Sequence, residues 1–109
     1  MPLSDHESER YAWQMDLPGM GEAGQLRLKN ASVLISRIGG VGGLVAMQLA
    51  AAGVGRLVLA HAGVIRPSDL NRQLLMTHDG IGASRIDVAL RRLREFNPHL
   101  DLVGVPENM

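Results

Sequence analysis

The sequence contains no cysteine, and this absence excludes disulfide bonds, thiolate zinc sites and a cysteine nucleophile. Aromatic residues are scarce as well, with one Phe, one Trp and one Tyr among 109 residues, so aliphatic side chains must fill any core. Neither sign of charge is in excess, because Lys and Arg together number 11 and Asp and Glu also number 11. The chain therefore has no overall field that attracts nucleic acid or an anionic membrane, and any phosphate site must be local.

The N-terminus lacks the apolar stretch of a secretory signal and carries Asp5, Glu7 and Glu9 instead. An uncharged stretch at 38–55 is about as long as a short membrane span. It contains six glycines and Gln48, which are typical of a strand, a glycine turn and a helix. Together with the absence of cysteine, these features predict a cytoplasmic protein with no membrane or nucleic-acid partner.

The pattern of apolar residues predicts helices and strands along the whole chain. We expect a helix at 4–14, capped by Ser4 or Asp5, and a second helix at 22–29, after which Asn30 takes the left-handed conformation. The later elements are a strand at 32–36, a helix at 41–52 closed by Gly53, a strand at 56–60, a helix from a cap at Ser84 or a neighbour to Phe96, and a strand at 100–105.

A strand, a helix and a second strand within about 30 residues form a βαβ unit, which requires parallel pairing and a right-handed crossover. The sequence therefore predicts a single α/β domain over 1–109, Rossmann-like, with N-terminal helices at 1–30 and a mostly parallel sheet. We expect the first strand to be buried on both faces. Because an open doubly wound sheet normally has more than three strands, we also expect the domain to be incomplete.

Each of the two long helices has an expected apolar face. The residues at helical spacing are Leu44, Met47, Gln48 and Ala51 in the first, and Ile86, Ala89, Leu90 and Leu93 in the second. The second helix also carries Arg85, Arg91, Arg92 and Arg94. Asp87 can pair with Arg91 at i,i+4 and no aromatic residues are interleaved, so we interpret this basic face as solvated rather than as a nucleic-acid site. The histidines His6, His78 and His99 are widely separated and predict no metal site.

A glycine-rich turn, Gly39-Gly40-Val41-Gly42-Gly43, connects a predicted strand to a predicted helix. Glycines at such a turn allow backbone N–H groups to approach a phosphate at the helix N-terminus. The register departs from the dinucleotide fingerprint G-x-G-x-x-G, because Arg37 stands in place of the first glycine. The alternative is that these glycines serve only a tight turn and close packing.

The end of the second predicted strand bears on which nucleotide could bind. An NAD site would have an acidic residue there to hold the ribose hydroxyls, and this chain has Ala60-His61-Ala62-Gly63. The absence argues against an ordinary NAD site, although Arg66 would suit a phosphorylated ribose.

A polar segment at 66–75 follows that strand, at the kind of strand end where α/β sheets bind ligands. Arg72 in this segment can form bidentate bonds to phosphate and offset charge that develops during nucleotidyl transfer. By its chemistry alone, Arg72 fits a surface ion pair equally well.

Five short segments occur in a recognisable order and spacing that covers nearly all of the chain. They are Glu9-Arg10-Tyr11, Leu17-Pro18-Gly19-Met20-Gly21-Glu22-Ala23-Gly24-Gln25, Ala51-Ala52-Gly53-Val54-Gly55, Ser68-Asp69-Leu70-Asn71-Arg72-Gln73 and Asn97-Pro98. In these segments the chain resembles the ThiF/HesA/MoeB family, the bacterial relatives of ubiquitin-activating enzymes.

The resemblance implies a homodimeric Rossmann-like enzyme that uses ATP and Mg²⁺ to adenylate the C-terminal carboxylate of a small ubiquitin-like sulfur-carrier protein. Residues 31–109 would then be the βαβ-type nucleotide-binding half, with Arg72 as the catalytic residue. The nucleotide-binding positions that the resemblance implies are Gly39, Gly40, Gly42, His61, Asp69, Arg72, Gln73 and Arg85. No metal ligand is expected in this chain, since the magnesium-binding aspartate of the family follows a later strand.

The chain departs from the family pattern at several nucleotide contacts. Trp13 stands where the family has an arginine that reaches the partner protomer's ATP, and His61 and Gly63 stand where it has aspartates. Asp69 replaces an asparagine, and Arg85 replaces a phosphate-binding lysine with a side chain of different donor geometry.

These departures leave three hypotheses open. The first is an adenylyltransferase-type domain with a divergent ATP site, and the second is a non-catalytic relative that serves as a dimerisation or carrier-binding module. The third is an NAD(P)-binding protein. Whether the chain is an enzyme stays open, and we expect it to be inactive on its own in ATP–pyrophosphate exchange.

Overall fold

The computed structural model describes residues 2–109 of the chain. The helices are α1 (Asp5–Arg10), α2 (Ala12–Met15), α3 (Gly21–Lys29), α4 (Gly40–Ala52) and α5 (Arg85–Phe96), and the strands are β1 (Ser32–Ile35), β2 (Arg56–Ala60) and β3 (Asp101–Val105). Two short 3-10 turns, Pro67–Asp69 and His78–Gly80, lie between β2 and α5.

The N-terminal helices differ in detail from the sequence prediction. Ser4 caps α1 as expected, because its side chain accepts from the Glu7 N–H while the Glu7 carboxylate accepts from the Ser4 N–H. The prediction of a single helix at 4–14 is wrong, because Tyr11 (φ −101°, ψ 9°) separates α1 from α2. The ring of Tyr11 is buried. The prediction that Asn30 takes the left-handed conformation is also wrong, because the φ angle of Asn30 is −89°.

The three strands form one sheet in the order β1-β2-β3, and both pairings are parallel. Parallel neighbours with α4 and α5 as crossovers confirm the α/β, Rossmann-like architecture that the alternation of strands and helices predicted. The carboxyl ends of β1 and β2 therefore lie side by side. The loops that leave these two ends carry the glycine-rich turn and the polar segment at 66–75.

Both long helices pack on the same face of the sheet. The cross-strand row Ile35, Leu59 and Gly104 faces them, because Ile35 packs near Gly42 of α4, and a Cβ at Gly104 would collide with side chains of α5. The row on the opposite face, Leu34, Val58 and Val103, is only partly covered, and Leu34 is 52% exposed. The expectation that β1 is buried on both faces is therefore wrong.

The buried face of α4 differs from the expected one. The buried residues of α4 are Gly43, Ala46 and Ala50, whereas Leu44 is exposed and Met47 is only partly buried. Small residues on the covered face allow the helix backbone to approach the sheet closely. In α5 the expected stripe is confirmed, with Ile86, Ala89 and Leu93 buried and Leu90 packed at its edge.

Polar side chains, of which Gln25 is fully buried, join the N-terminal helices to the end of α4. Gln14 and Gln25 both donate to the Ala52 carbonyl, at 2.8 and 2.9 Å. Gly53 ends α4 at φ +91°, as predicted, and a Cβ there would lie 2.6 Å from the Gln25 Nε2 atom. Among residues 2–109, no helix combines the length and apolarity needed to cross a membrane. The division of the chain at residue 30 stays a prediction.

Candidate functional site

The segment that leads from β1 into the first turn of α4, residues 37–43, is called the glycine loop here. A Cβ at Gly42 would overlap the Arg37 carbonyl oxygen, so only glycine permits this close approach of backbone to backbone. Gly39 precedes the first turn of α4, and no side chain caps that helix. The uncapped N–H groups and the helix dipole at this end form a place where an anion is stabilised.

The polar segment after β2 brings two predicted site residues to the glycine loop. A Cβ at Gly39 would lie 3.7 Å from Nε2 of Gln73, and a Cβ at Gly40 would lie 3.6 Å from Cγ of Arg72. Arg72 is exposed, and its Nη1 donates to the Ser68 carbonyl at 3.0 Å and to the Asn71 side chain at 2.9 Å. The structure thus brings Gly39, Gly40, Arg72 and Gln73 together.

Asp69 lies beneath this cluster and is buried. Its carboxylate accepts hydrogen bonds from the Arg66 backbone N–H at 2.9 Å, from Nε2 of Gln73 at 3.2 Å and from Nη2 of Arg85 at 2.6 Å. Three donors satisfy most of the acceptor capacity of a carboxylate. Asp69 therefore organises the segment and does not project freely toward a ligand.

Arg85, which the resemblance places at a phosphate-binding position, is engaged inside the chain. Its Nη2 forms the ion pair with Asp69, and its Nη1 donates to the Val64 carbonyl at 3.0 Å. Two buried polar atoms of this network have no hydrogen-bond partner among residues 2–109, namely Oε1 of Gln73 and Nε of Arg85. Because the Gln73 side chain adjoins Gly39, its Oε1 is an acceptor that a ligand at the glycine loop could use.

His61, at the end of β2, contacts the glycine loop through its ring. Its Nδ1 accepts a hydrogen bond from the Ile38 N–H at 3.1 Å, and only an unprotonated nitrogen can accept. Burial lowers the pKa of His61, and the cations Arg85 and Arg37 lower it further, against the opposite effect of Asp69. The imidazole is therefore held neutral beside the loop.

The other predicted features lie apart from this cluster. Trp13 is on α2 and is 90% exposed. Arg91 pairs with Asp79 at 3.4 Å and with Glu95 at 3.9 Å, so the expected pair with Asp87 is wrong. His6 and His99 line one open groove, but no group of three or more His, Cys, Asp or Glu residues among positions 2–109 is arranged to hold a metal ion.

The donors and acceptors of the cluster fit a phosphorylated nucleoside but not a magnesium ion. The uncapped start of α4 and the exposed Arg72 guanidinium suit phosphate, and the unpartnered Oε1 of Gln73 suits a hydroxyl donor. Magnesium needs carboxylate oxygens, and the carboxylate of this cluster, Asp69, is neutralised by Arg85.

Sequence reasoning missed the two contacts that define the cluster, the Asp69–Arg85 ion pair and the His61–Ile38 hydrogen bond. The ion pair had a signal in the sequence, because a neutral amide and a lysine of the family pattern are replaced together by an acid and an arginine. Only the replacement at position 69 changes a charge, so the sequence indicates that Asp69 needs a cationic partner but does not identify Arg85 as that partner. The second contact had no signal, since it uses a backbone N–H.

Comparison with known proteins agrees with the fold and the motifs. The pattern of the ThiF family matches residues 11–109. The chain is 46% identical over 103 residues to "Protein HesA, vegetative" of Trichormus variabilis, covering 94% of this chain and 39% of that protein. It is 42% identical over 108 residues to "Adenylyltransferase and sulfurtransferase uba4" of Aspergillus niger, covering 99% of this chain and 22% of that protein.

A solved structure of similar fold is E. coli tRNA N6-threonylcarbamoyladenosine dehydratase, TcdA, which has been determined with AMP and with ATP. The TM-score is 0.92 at 27% identity, and the match covers 100% of this chain and 44% of TcdA. The chain therefore spans less than half the length of each of these three proteins. Relatives of this kind include adenylyltransferases and proteins that bind ATP. From its fold, its motifs and these similarities, we conclude that the chain belongs to the ThiF family.

Proposed function

We propose that this chain is the nucleotide-binding part of an adenylyltransferase that activates the C-terminal carboxylate of a small ubiquitin-like carrier protein. The observation that carries the proposal is the cluster at the carboxyl ends of β1 and β2. There the uncapped start of α4 adjoins Arg72 and Gln73. A phosphate at this point would meet backbone N–H groups and one exposed guanidinium.

The reaction would transfer an adenylyl group to a carboxylate. A carboxylate oxygen attacks the α-phosphorus of ATP, the new acyl–phosphate bond forms, and the bond to the β-phosphate breaks so that pyrophosphate leaves. Catalysis of such an in-line displacement rests on positioning and on neutralising charge. In this chain, Arg72 supplies positive charge next to the glycine loop, and the loop positions the phosphates.

The chain by itself is expected to be inactive in ATP–pyrophosphate exchange. Its residues do not fit magnesium, and Asp69 neutralises Arg85, so little positive charge faces the departing pyrophosphate. Each missing charge contact costs several kcal/mol of transition-state stabilisation, and about 1.4 kcal/mol corresponds to a tenfold rate. The matched relatives are longer, and a whole protein with the same N-terminal part is proposed to supply the missing groups.

The Asp69–Arg85 ion pair favours a second candidate, a family member that has lost turnover and retains the fold as a dimerisation or carrier-binding module. The two candidates differ in whether the glycine loop binds a nucleotide. The third hypothesis, an NAD(P) protein, has no support from the cluster, because His61 at the end of β2 is bonded to Ile38 and is not an acid.

The test is titration calorimetry of the chain with ATP, AMP and NAD. We expect adenine nucleotides with terminal phosphates to bind more tightly than NAD. Binding should weaken about tenfold to a hundredfold in Arg72→Ala, because a charge-assisted hydrogen bond contributes about 1.5–3 kcal/mol. Arg94→Ala, which removes an exposed arginine on α5, is the matched control. Tighter binding of NAD, or equal binding by the Arg72 variant, would contradict the proposal.

A further inference from the structure

The resemblance places Arg85 at a phosphate-binding position, but its guanidinium is engaged within the chain. Nη2 of Arg85 lies 2.6 Å from Oδ2 of Asp69, and the two side chains are only 12% and 7% exposed. Nη1 of the same guanidinium donates to the Val64 carbonyl. Two of the three nitrogens of Arg85 are thus committed to the protein.

The partner of Arg85 is itself held in place. Besides Arg85, the Asp69 carboxylate accepts from the Arg66 backbone and from the Gln73 amide. If Arg85 turned toward a phosphate, a buried carboxylate would be left without its counter-charge, and such an uncompensated charge is strongly unfavourable. The ion pair is therefore expected to persist when a nucleotide binds.

The persistence of the pair sets the charge of the anion site. Asp69 and Arg85 together contribute no net charge, so the exposed cations next to the glycine loop are Arg72, whose side-chain stem adjoins Gly40, and Arg37. A triphosphate carries more negative charge than a monophosphate and needs more cations to compensate for its desolvation. With Arg85 neutralised, these two exposed side chains and the start of α4 suit the smaller charge.

We propose that Asp69 determines the nucleotide specificity of this site. By holding Arg85, it makes the site favour a nucleoside monophosphate group, as in AMP or an acyl-adenylate, over a nucleoside triphosphate. This inference rests on the proposed function, because it uses the same nucleotide site, and it adds the charge class of the ligand. Asp69 acts through Arg85 and is therefore a positioning residue.

The first test compares the affinities for ATP and AMP by calorimetry. We expect the wild-type chain to bind AMP at least as tightly as ATP. Asp69→Asn should raise the ratio of ATP to AMP affinity about tenfold, since the released guanidinium can make a charge-assisted bond to the added phosphates. Adding Arg85→Gln to Asp69→Asn should abolish this gain.

The matched control is Asp101→Asn, which breaks the exposed Arg56–Asp101 pair at the other end of the strands. This variant should keep the wild-type ratio. A wild-type preference for ATP of about tenfold or more, or an Asp69→Asn variant with no gain for ATP, overturns the proposal.

A second test needs no variant at position 69. In ¹⁵N–¹H spectra of the arginine side chains, the Nε resonances of Arg72 and Arg85 can be assigned from their loss in Arg72→Lys and Arg85→Lys. On titration of the wild-type chain with ATP, we expect the Arg72 resonance to shift and that of Arg85 to stay in place. A shift of Arg85 as large as that of Arg72 overturns the proposal.

Failure of the proposed function gives a different result. If the wild-type chain binds neither ATP nor AMP, the proposed function fails for this chain. Asp69→Asn then decides the specificity role by itself, because a gain of ATP binding supports that role and continued absence of binding overturns it.

Discussion

Several side chains at this site form hydrogen bonds within the chain, and the bond made by His61 depends on its protonation state. The ring follows β2, and its Nδ1 accepts from the Ile38 N–H at the start of the glycine loop. The bond requires the neutral imidazole. Burial and the nearby cations Arg85 and Arg37 lower the pKa of His61, so the neutral form is favoured in the folded chain. The shape of the loop is therefore linked to pH.

We expect stability to fall as the pH decreases below about 6.5, the ordinary pKa of histidine in an unfolded chain. Between the lowered folded pKa and this value, the unfolded state binds more protons than the folded state, so the free energy of unfolding rises with pH. His61→Gln retains an acceptor that does not titrate and should remove part of this dependence. Urea unfolding of both chains from about pH 5.5 to pH 8 measures it. Equal slopes below about pH 6.5 would contradict the role of His61.

Whole elements are held together by polar groups that leave no periodic pattern in the sequence. The outward face of α4 carries Val41, Leu44 and Val45, which are exposed, while the inward face carries small residues. An apolar helix of this kind offers no contrast between its faces, so periodicity alone selected the wrong one. The position of α4 is fixed instead by its end, where Asn97 donates to the Ala50 carbonyl.

Asn97→Ala should destabilise the fold substantially. The Asn97 amide is fully buried and donates to the Tyr11 hydroxyl and the Ala50 carbonyl, each at 2.8 Å. Its loss leaves the Tyr11 hydroxyl without a donor, at about 1–3 kcal/mol for an unsatisfied group, and leaves the Ala50 carbonyl with only the Gly53 N–H at 3.2 Å. Thermal and urea unfolding measure the change.

Two further variants make this prediction specific. Tyr11→Phe removes one partner of Asn97, so the two substitutions should be less than additive in a double-mutant cycle. Asn71→Ala, at an exposed position, is the matched control and should change stability by less than about 0.5 kcal/mol. A loss in Asn97→Ala no larger than this control would show that the buried bonds contribute nothing.

Taken as a whole, the chain has a sheet with one face covered by helices and the other face only partly covered. The helices α4 and α5 lie over Ile35, Leu59 and Gly104, and the opposite row contains the exposed Leu34. Within residues 2–109, β1 pairs with β2 alone, so its outer edge has free backbone donors and acceptors. An apolar face next to an open edge favours association with another chain.

We expect the chain to form dimers or larger species at micromolar concentration. Leu34→Lys places a charge on the open face and should shift the population toward the monomer, as sedimentation velocity would show. Leu17→Lys is the matched control, because Leu17 is similarly exposed at 59% but follows α2, away from the sheet. A wild-type chain that sediments as a monomer, or two variants with equal effects, would count against association through this face.

Local patterns in the sequence were sufficient for most of the elements and for the family. The bounds of β2 and α5, the cap at Ser4 and the left-handed Gly53 follow from nearest-neighbour chemistry, because alternation, capping and positive φ depend on residues a few positions apart. The glycine loop could also be predicted from the sequence, since a turn between a strand and a helix is a local feature. The motifs at 68–73 and 97–98 lie within the matched family region.

The tertiary structure decided which groups remain free to bind a ligand. Asp69 and Arg85 are 16 positions apart, and only the crossover from β2 to α5 brings their charges within 2.6 Å. His61 reaches the glycine loop because parallel β1 and β2 end at the same edge of the sheet. Burial of Leu34 depends on what covers the second face, which no periodicity encodes. Long-range packing converts a predicted phosphate ligand, Arg85, into an internal ion pair, because a buried charge is stable only beside its counter-charge.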